Sequence, residues 1–214
     1  MKVIVVGNGR VGKTSLVRRF ATGKYDEGYK QTIGVAFTEK EKYIEECKQA
    51  VTFHLWDTAG QEEFAEMTKQ YYRGAKGCVL AFSTTDRDSF EAIPTWNEKV
   101  KRECDENMCK ILIQNKYDLR DKSVVTDEEA DKLAADLGLK FYRSSVKNGD
   151  MVEDIFDYLA GQYYKQQETV IESVKARKAE NKNEEPDFES PFSLAELEKR
   201  QEENRKKRKK ECCT

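Results

Sequence analysis

The sequence predicts an α/β domain: a six-stranded, mostly parallel sheet flanked by helices on both faces, followed by a flexible C-terminal tail. Three observations predict it. Short apolar runs of strand length recur along most of the chain and alternate with helical patterns. The first run opens directly into a glycine-rich turn and then a helix, as in strand–turn–helix phosphate sites. Beyond residue 165 large apolar residues thin out, and "SVKARKAENKNEEPDFES" has the polar, charged composition of a solvated segment.

Taken in order, residues 2–6 form a nearly continuous apolar run, the pattern of a strand buried on both faces. Leu16, Val17 and Phe20 line one face of the helix that follows. Residues 35–43 alternate well enough to pair with 51–56 ("VTFHLW") through a hairpin at "EECK", which supplies the single antiparallel strand at an edge. Residues 77–83 ("GCVLAFS"), 110–114 ("KILIQ") and, more weakly, 140–144 ("KFYRS") complete six strands. Phe90, Ile93, Trp96 and Val100 share one helical face, and Pro94 is expected to kink that helix by removing a bond to Phe90. Thr126 with Glu129 makes a capping box ahead of a helix that stops at Gly138. Val152, Ile155, Phe156, Leu159 and Tyr163 mark the last helix. The expected division is a globular domain over 1–165 and a tether over 166–214.

At 214 residues the chain holds one domain plus an appendage. Its net charge of −2 argues against generic nucleic-acid binding, which needs a basic surface. Cys47, Cys78, Cys104 and Cys109 are scattered, His54 is the sole histidine, and no paired C-x-x-C stands at zinc-site spacing. These read as reduced cytosolic thiols, and a Cys104–Cys109 disulfide is disfavoured because nothing suggests secretion. No run has the length of a transmembrane helix or of a secretory apolar segment. A cytoplasmic protein, monomeric and without a nucleic-acid partner, is expected.

The chemistry sits where strands end, as in open α/β sheets generally. Gly7-x-x-x-x-Gly12-Lys13-Thr14 lies between the first strand and the first helix, the context that defines a P-loop. In such a turn Gly7, Asn8, Gly9, Arg10, Val11, Gly12, Lys13, Thr14 and Ser15 wrap a nucleotide's phosphates. The backbone amides form an anion nest, Lys13 reaches the β- and γ-phosphates, and the Thr14 hydroxyl ligates Mg²⁺. "QNKYDL" places Asn115, Lys116 and Asp118 at the end of another strand. A carboxylate at Asp118 accepts two hydrogens, from guanine N1 and the exocyclic amine, and adenine offers no matching pair. Asn115 would brace the loop, and the stem of Lys116 would cover the base. In "SSVK", Ser145 would support Asp118, with the Val146 and Lys147 amides facing guanine O6. Tyr25 could stack on the open edge of the base.

A third group reads as a hydrolytic switch. Asp57 in "WDTAGQEEF" is placed to hold Mg²⁺ through water, the Gly60 amide to bond the γ-phosphate, and Gln61 to orient the attacking water. Thr32 in "KQTIGVAF" offers a hydroxyl to Mg²⁺ and an amide to the γ-phosphate. Both segments lean on a phosphate that hydrolysis removes, so they should order with GTP and loosen with GDP. A P-loop ATPase or nucleotide kinase is opposed by "NKYD" and "SSVK" and by the lack of a lid-like insertion. A non-cycling GTP-binding scaffold is opposed by Gln61.

With these motifs in order, residues 2–164 resemble the Ras-superfamily small GTPases, and "IGVAF", "WDTAGQEEF", "YYRGAKG" and "FSTTDRDSF" resemble their Rab branch. "VVGNGRVGKTS", "CVLAFSTTDRDSF" and "FYRSSVK" are most similar to the Rabs linked to cilia and Hedgehog signalling. The resemblance implies a GTPase with slow intrinsic hydrolysis, Mg²⁺ as cofactor, GTP and GDP as substrate and product, and an arginine supplied by an activating protein. It also implies an exchange factor, effectors that read Phe37, Trp56 and Tyr71, and prenylation or GDI-type chaperones. Two positions depart from the Rab pattern: Ala36 replaces the usual Asp, and Arg10 occupies a P-loop position usually held by a small residue.

The C-terminal tail fits the same resemblance. It ends in "ECCT", and the paired Cys212 and Cys213 resemble a double geranylgeranylation signal. Two lipid chains suffice for durable anchoring where one is marginal. The preceding "RKKRKK" would add attraction to an anionic leaflet. Ser193 with Glu196 forms a second capping box, for a helix too short to be stable alone. The expected location is the cytoplasm and the cytoplasmic face of vesicle, plasma or ciliary membranes.

Overall fold

A computed structural model describes residues 1–28, 32, 34–58 and 71–180, with side chains described to residue 175. The chain divides into two compact units, Met1–Gln167 and Glu168–Thr214. The first carries the strands β1 (Lys2–Val6), β2 (Val35–Ile44), β3 (Gln49–Thr58), β4 (Gly77–Ser83), β5 (Cys109–Asn115) and β6 (Lys140–Arg143). Helices α1 (Lys13–Thr22), α2 (Arg87–Glu91), α3 (Ile93–Glu103) and α4 (Asp127–Leu137) lie between them, and α5 (Val152–Glu180) follows.

The sheet order is β2-β3-β1-β4-β5-β6. Every pairing is parallel except β2 with β3, which runs antiparallel from Val35↔Thr58 to Ile44↔Gln49 through the expected hairpin at residues 45–48. The central strands are mostly apolar because both their faces are covered. Val3, Val5, Val79, Ala81, Ile111 and Ile113 pack in one core with Leu16, Phe20, Phe156 and Leu159. Their neighbours Ile4, Val6, Cys78, Leu80, Phe82 and Leu112 point the other way, into a second core with Trp96, Val100 and Ala130. On the first face Phe20 stacks on Phe156 at 3.8 Å and meets Phe53 edge-on at 5.2 Å, tying α1, β3 and α5 together.

Local signals explain most boundaries. Thr126 accepts from the Glu129 amide while the Glu129 side chain accepts from the Thr126 amide, so α4 starts at the expected capping box and ends at Gly138 in the left-handed conformation. Two expectations are corrected. Pro94 does not kink a helix that includes Phe90. It occupies the first turn of α3, where its missing N–H has no partner to lose, and Phe90 belongs to the separate helix α2. Residues 166–180 are helical as the continuation of α5, where an unstructured tether was expected. Their Gln, Glu, Lys and Ala content favours helix without an apolar stripe. Cys47, Cys78, Cys104 and Cys109 carry free thiols.

Candidate functional site

The turn after β1 folds around its own lysine. Gly7 and Gly12 sit at φ 138° and 98°, and a Cβ on either would run into the Ala81 carbonyl oxygen or the Asn115 side-chain nitrogen respectively. Arg10 also takes a left-handed φ of 62°. Gly12 begins α1 with no side-chain cap and no acid in the first turn, so the helix presents amides without a competing side-chain acceptor. Such an end suits an anion. Lys13 is 6% exposed and donates through Nζ to the carbonyls of Gly7 at 2.8 Å and Asn8 at 2.7 Å. Burial pushes its pKa down to about 8 against the opposing pull of the Asp57 carboxylate. Asn8 lies in this turn, but its side chain is engaged elsewhere: Oδ1 accepts from the Trp96 indole N–H at 2.8 Å.

Beside the turn, three oxygen donors converge from separate elements. The Thr14 and Thr32 hydroxyls are 2.7 Å apart, and Thr32 donates to Asp57 Oδ2 across a longer 3.4 Å. Asp57, next to last in β3, is 1% exposed; its other oxygen, Oδ1, has no hydrogen-bond partner among the described residues. Burial pushes its pKa up, and the neighbouring Thr14, Lys13 and Thr32 work against that shift. A buried carboxylate oxygen left without a donor calls for a partner, and a cation is one that fits beside two hydroxyls. One carboxylate with two hydroxyls is a hard oxygen set, short of a full cage. That fits Mg²⁺, which keeps waters and takes further ligands from phosphate. No cluster of three His, Cys, Asp or Glu occurs among the described residues, so the set does not suit zinc.

The base side of the site is organised by Asn115, at the end of β5. Its Nδ2 donates to the Val11 carbonyl at 2.8 Å, and its Oδ1 accepts from the Val146 amide at 3.4 Å. One side chain therefore joins the phosphate turn to two loops at neighbouring strand ends. The Val146 amide, expected to face a base, is turned to Asn115 here. The Asn115 carbonyl is held in turn by the amide and hydroxyl of Thr84, at 2.9 and 2.8 Å. Ser145 Oγ donates to Asp118 Oδ1 at 2.7 Å, leaving the second carboxylate oxygen for other donors. Lys116 adopts φ 60°, and burial lowers its pKa.

A cleft of about 180 Å³ opens here, lined by Gly12, Ser15, Tyr25, Asn115, Lys116, Asp118, Leu119, Val146 and Lys147. Tyr25 is 38% exposed at its rim, and Lys147 pairs with Glu27 at 3.5 Å. Sequence reasoning missed Leu119 and Thr84. Leu119 carries no signal beyond its place next to Asp118, and the Thr84 brace joins segments 31 positions apart, so no local pattern marks it.

On the hairpin, Phe37 is 51% exposed and meets Trp56 at 5.2 Å across the Phe37↔Trp56 register pair. Trp56 in turn lies 5.4 Å from the Tyr71 ring, so the three aromatics form one contiguous patch. Ala36 is exposed on β2 beside it. Gly60, Gln61, the basic run at 205–210, the second capping box, Cys212 and Cys213 lie outside the described residues.

Comparison with known proteins adds the lineage. The Ras family model matches residues 2–165. Similar proteins include Ras-related protein RABA4b of Arabidopsis thaliana, 40% identical over 163 residues, which is 76% of this chain and 72% of that protein. Ras-related protein RABD1 of the same plant is 38% identical over 164 residues, 77% and 79% of the two chains. Ras-related protein RIC1 of Oryza sativa subsp. japonica is 38% identical over 161 residues, 75% and 79%. A family match over most of the length, together with relatives of this similarity, places the chain: it belongs to the Rab branch of the Ras family of small GTPases.

Proposed function

We propose that this GTPase works as a membrane-trafficking switch, holding guanine nucleotide in the cleft between the β1, β5 and β6 loops and recruiting effectors while GTP is bound. The observation that carries the site assignment is Asn115, whose single amide group bonds both the phosphate turn and the "SSVK" loop. Phosphate binding and base reading thereby share one scaffold. Asp118, steadied by Ser145, selects guanine through N1–H and the exocyclic amine. Lys116 covers the base with its stem, Tyr25 packs at the open edge, and the backbone of residues 7–15 with Lys13 holds the phosphates.

Thr14, Thr32 and Asp57 would hold Mg²⁺, which when bound neutralises charge on the β- and γ-phosphates. Gln61 orients the attacking water, and the Gly60 and Thr32 amides contact the γ-phosphate. Loss of that phosphate on hydrolysis releases both segments, and with them the Phe37–Trp56–Tyr71 patch that effectors read. An exchange factor reloads the switch, and an activating protein accelerates hydrolysis.

The same reading divides the chain into a nucleotide-binding domain over 1–165 and a membrane-directed segment over 166–214. Prenylation of Cys212 and Cys213, helped by "RKKRKK", holds the protein on the cytoplasmic face of a membrane, and a GDI-type chaperone extracts it. A ciliary membrane is the compartment that the "VVGNGRVGKTS" and "FYRSSVK" similarities favour.

The test is to denature the purified full chain and identify the purine it releases. Guanine nucleotide is expected; adenine nucleotide, or none from protein kept in magnesium, overturns the reading. Gln61→Leu should then slow single-turnover GTP hydrolysis while sparing nucleotide binding, and an undiminished rate removes Gln61 from the mechanism.

A further inference from the structure

We infer that Asn8, in the phosphate turn, and Trp96, outside the nucleotide motifs, form a positioning pair that clamps that turn and limits how fast bound nucleotide leaves. The inference rests on the guanine-nucleotide reading above. Trp96 lies on the buried face of α3 with Ile93, Asn97 and Val100, and is 4% exposed. Its indole N–H donates to Asn8 Oδ1 at 2.8 Å, a contact spanning 88 positions of sequence. The Asn8 carbonyl accepts from Lys13 Nζ at 2.7 Å. Two hydrogen bonds in series therefore connect a core helix to the ammonium that faces the phosphates. The Asn8 amide nitrogen adds a weak 3.5 Å contact to the Asp88 carbonyl in α2.

The turn needs such anchors. With Gly7, Arg10 and Gly12 all at positive φ, it follows neither a helical nor a strand hydrogen-bond pattern. Asn115 fixes its far end by donating to the Val11 carbonyl. Asn8, directly after Gly7, is where the near end is fixed, and its partner belongs to none of the nucleotide motifs. Trp96 also confers rigidity, because a buried indole N–H is costly to leave unpaired and holds its acceptor in one place. If Asn8 merely satisfied that indole, breaking the bond would lower stability and leave nucleotide release untouched.

Release is measured on the purified full chain, loaded with fluorescent guanosine diphosphate in magnesium and chased with unlabelled nucleotide. Asn8→Ala and Trp96→Phe should each release about tenfold faster, the factor that about 1.4 kcal/mol of lost anchoring gives. The double variant should be no faster than either single, because both remove the same bond. Wild-type release from either single, or a double whose acceleration is the product of the two, overturns the inference. Should Trp96→Phe not fold, Asn8→Ala, which leaves the apolar core untouched, decides alone: faster release supports the clamp and unchanged release refutes it. A wild-type chain that holds no guanine nucleotide overturns this inference and the functional reading together. One that holds it while the variants match its rate overturns only the clamp.

Discussion

Lys13 is a cation folded back on the carbonyls of its own turn, and its burial is costly until an anion arrives. Its pKa is pushed down to about 8 from an ordinary 10.5, chiefly by desolvation. Between those values the unfolded chain holds the proton and the folded chain does not, so the Lys13 contribution makes stability rise with pH across that window. Below it the folded protein bears the full penalty, about 3 kcal/mol. Nucleotide-free Lys13→Met is therefore expected to be more stable than the parent near pH 7, by up to about 2 kcal/mol once the two lost hydrogen bonds are counted. The gap should shrink as pH approaches about 9.5. Denaturant melts at the two pH values check this, and a gap that stays constant removes burial of the charge as its cause. The neighbouring Asp57 follows the same logic with opposite sign, since burial pushes its pKa up and its Oδ1 has no partner among the described residues.

At the level of elements, the helices reveal which local rules the fold obeys and which it sets aside. Gly161 lies inside α5, where a glycine weakens a helix by about 1 kcal/mol relative to alanine. A Cβ there would meet the carboxylate end of Glu46, an exposed side chain on the hairpin turn that is free to swing away. Gly161→Ala should accordingly gain about 0.5–1 kcal/mol, seen as a higher denaturation midpoint with an unchanged slope. A loss would mean that the Glu46 stem cannot move. The elements that could be read in the sequence share a feature: their signal is local. Residues 2–6, 77–83 and 110–114 stood out because strands covered on both faces are nearly continuously apolar, and α4 because its capping box lies within four consecutive residues. Pro94 misled because one apolar face, from Phe90 to Val100, spans what are two helices, and periodicity does not report a break that keeps phase. Residues 166–180 were missed for the converse reason, being helical by propensity with little apolar pattern. Within the site, the motif residues declared themselves by type and spacing. The Asn8–Trp96 bond and the Thr84 brace join distant segments through tertiary packing that no local pattern encodes.

On the scale of the molecule, the site is also a joint in the first unit. The phosphate turn leaves β1 at the centre of the sheet, the Asn115 loop leaves β5, and the Ser145 loop follows β6, so a nucleotide spanning them as proposed would tie three strand ends along one edge. The described bonds across that edge are few, with Asn115 supplying those from the "NKYD" loop to the phosphate turn and to Val146. Ligand and fold stability are consequently coupled. At a free concentration about 1,000 times the dissociation constant, GDP with Mg²⁺ should stabilise the protein by about 4 kcal/mol. Stripping both with a chelator and a phosphatase is expected to lower the melting temperature by about 10 °C. The control is the base. If Asp118 reads the base as proposed, ADP, whose adenine has no matching pair of donors, should leave the stripped protein's melting temperature where it was at the same concentration. Equal protection by ADP and GDP would mean that the phosphates alone make the joint and that the Asp118–Ser145 pair selects nothing; protection by neither would mean that the three loops do not close on a nucleotide at all.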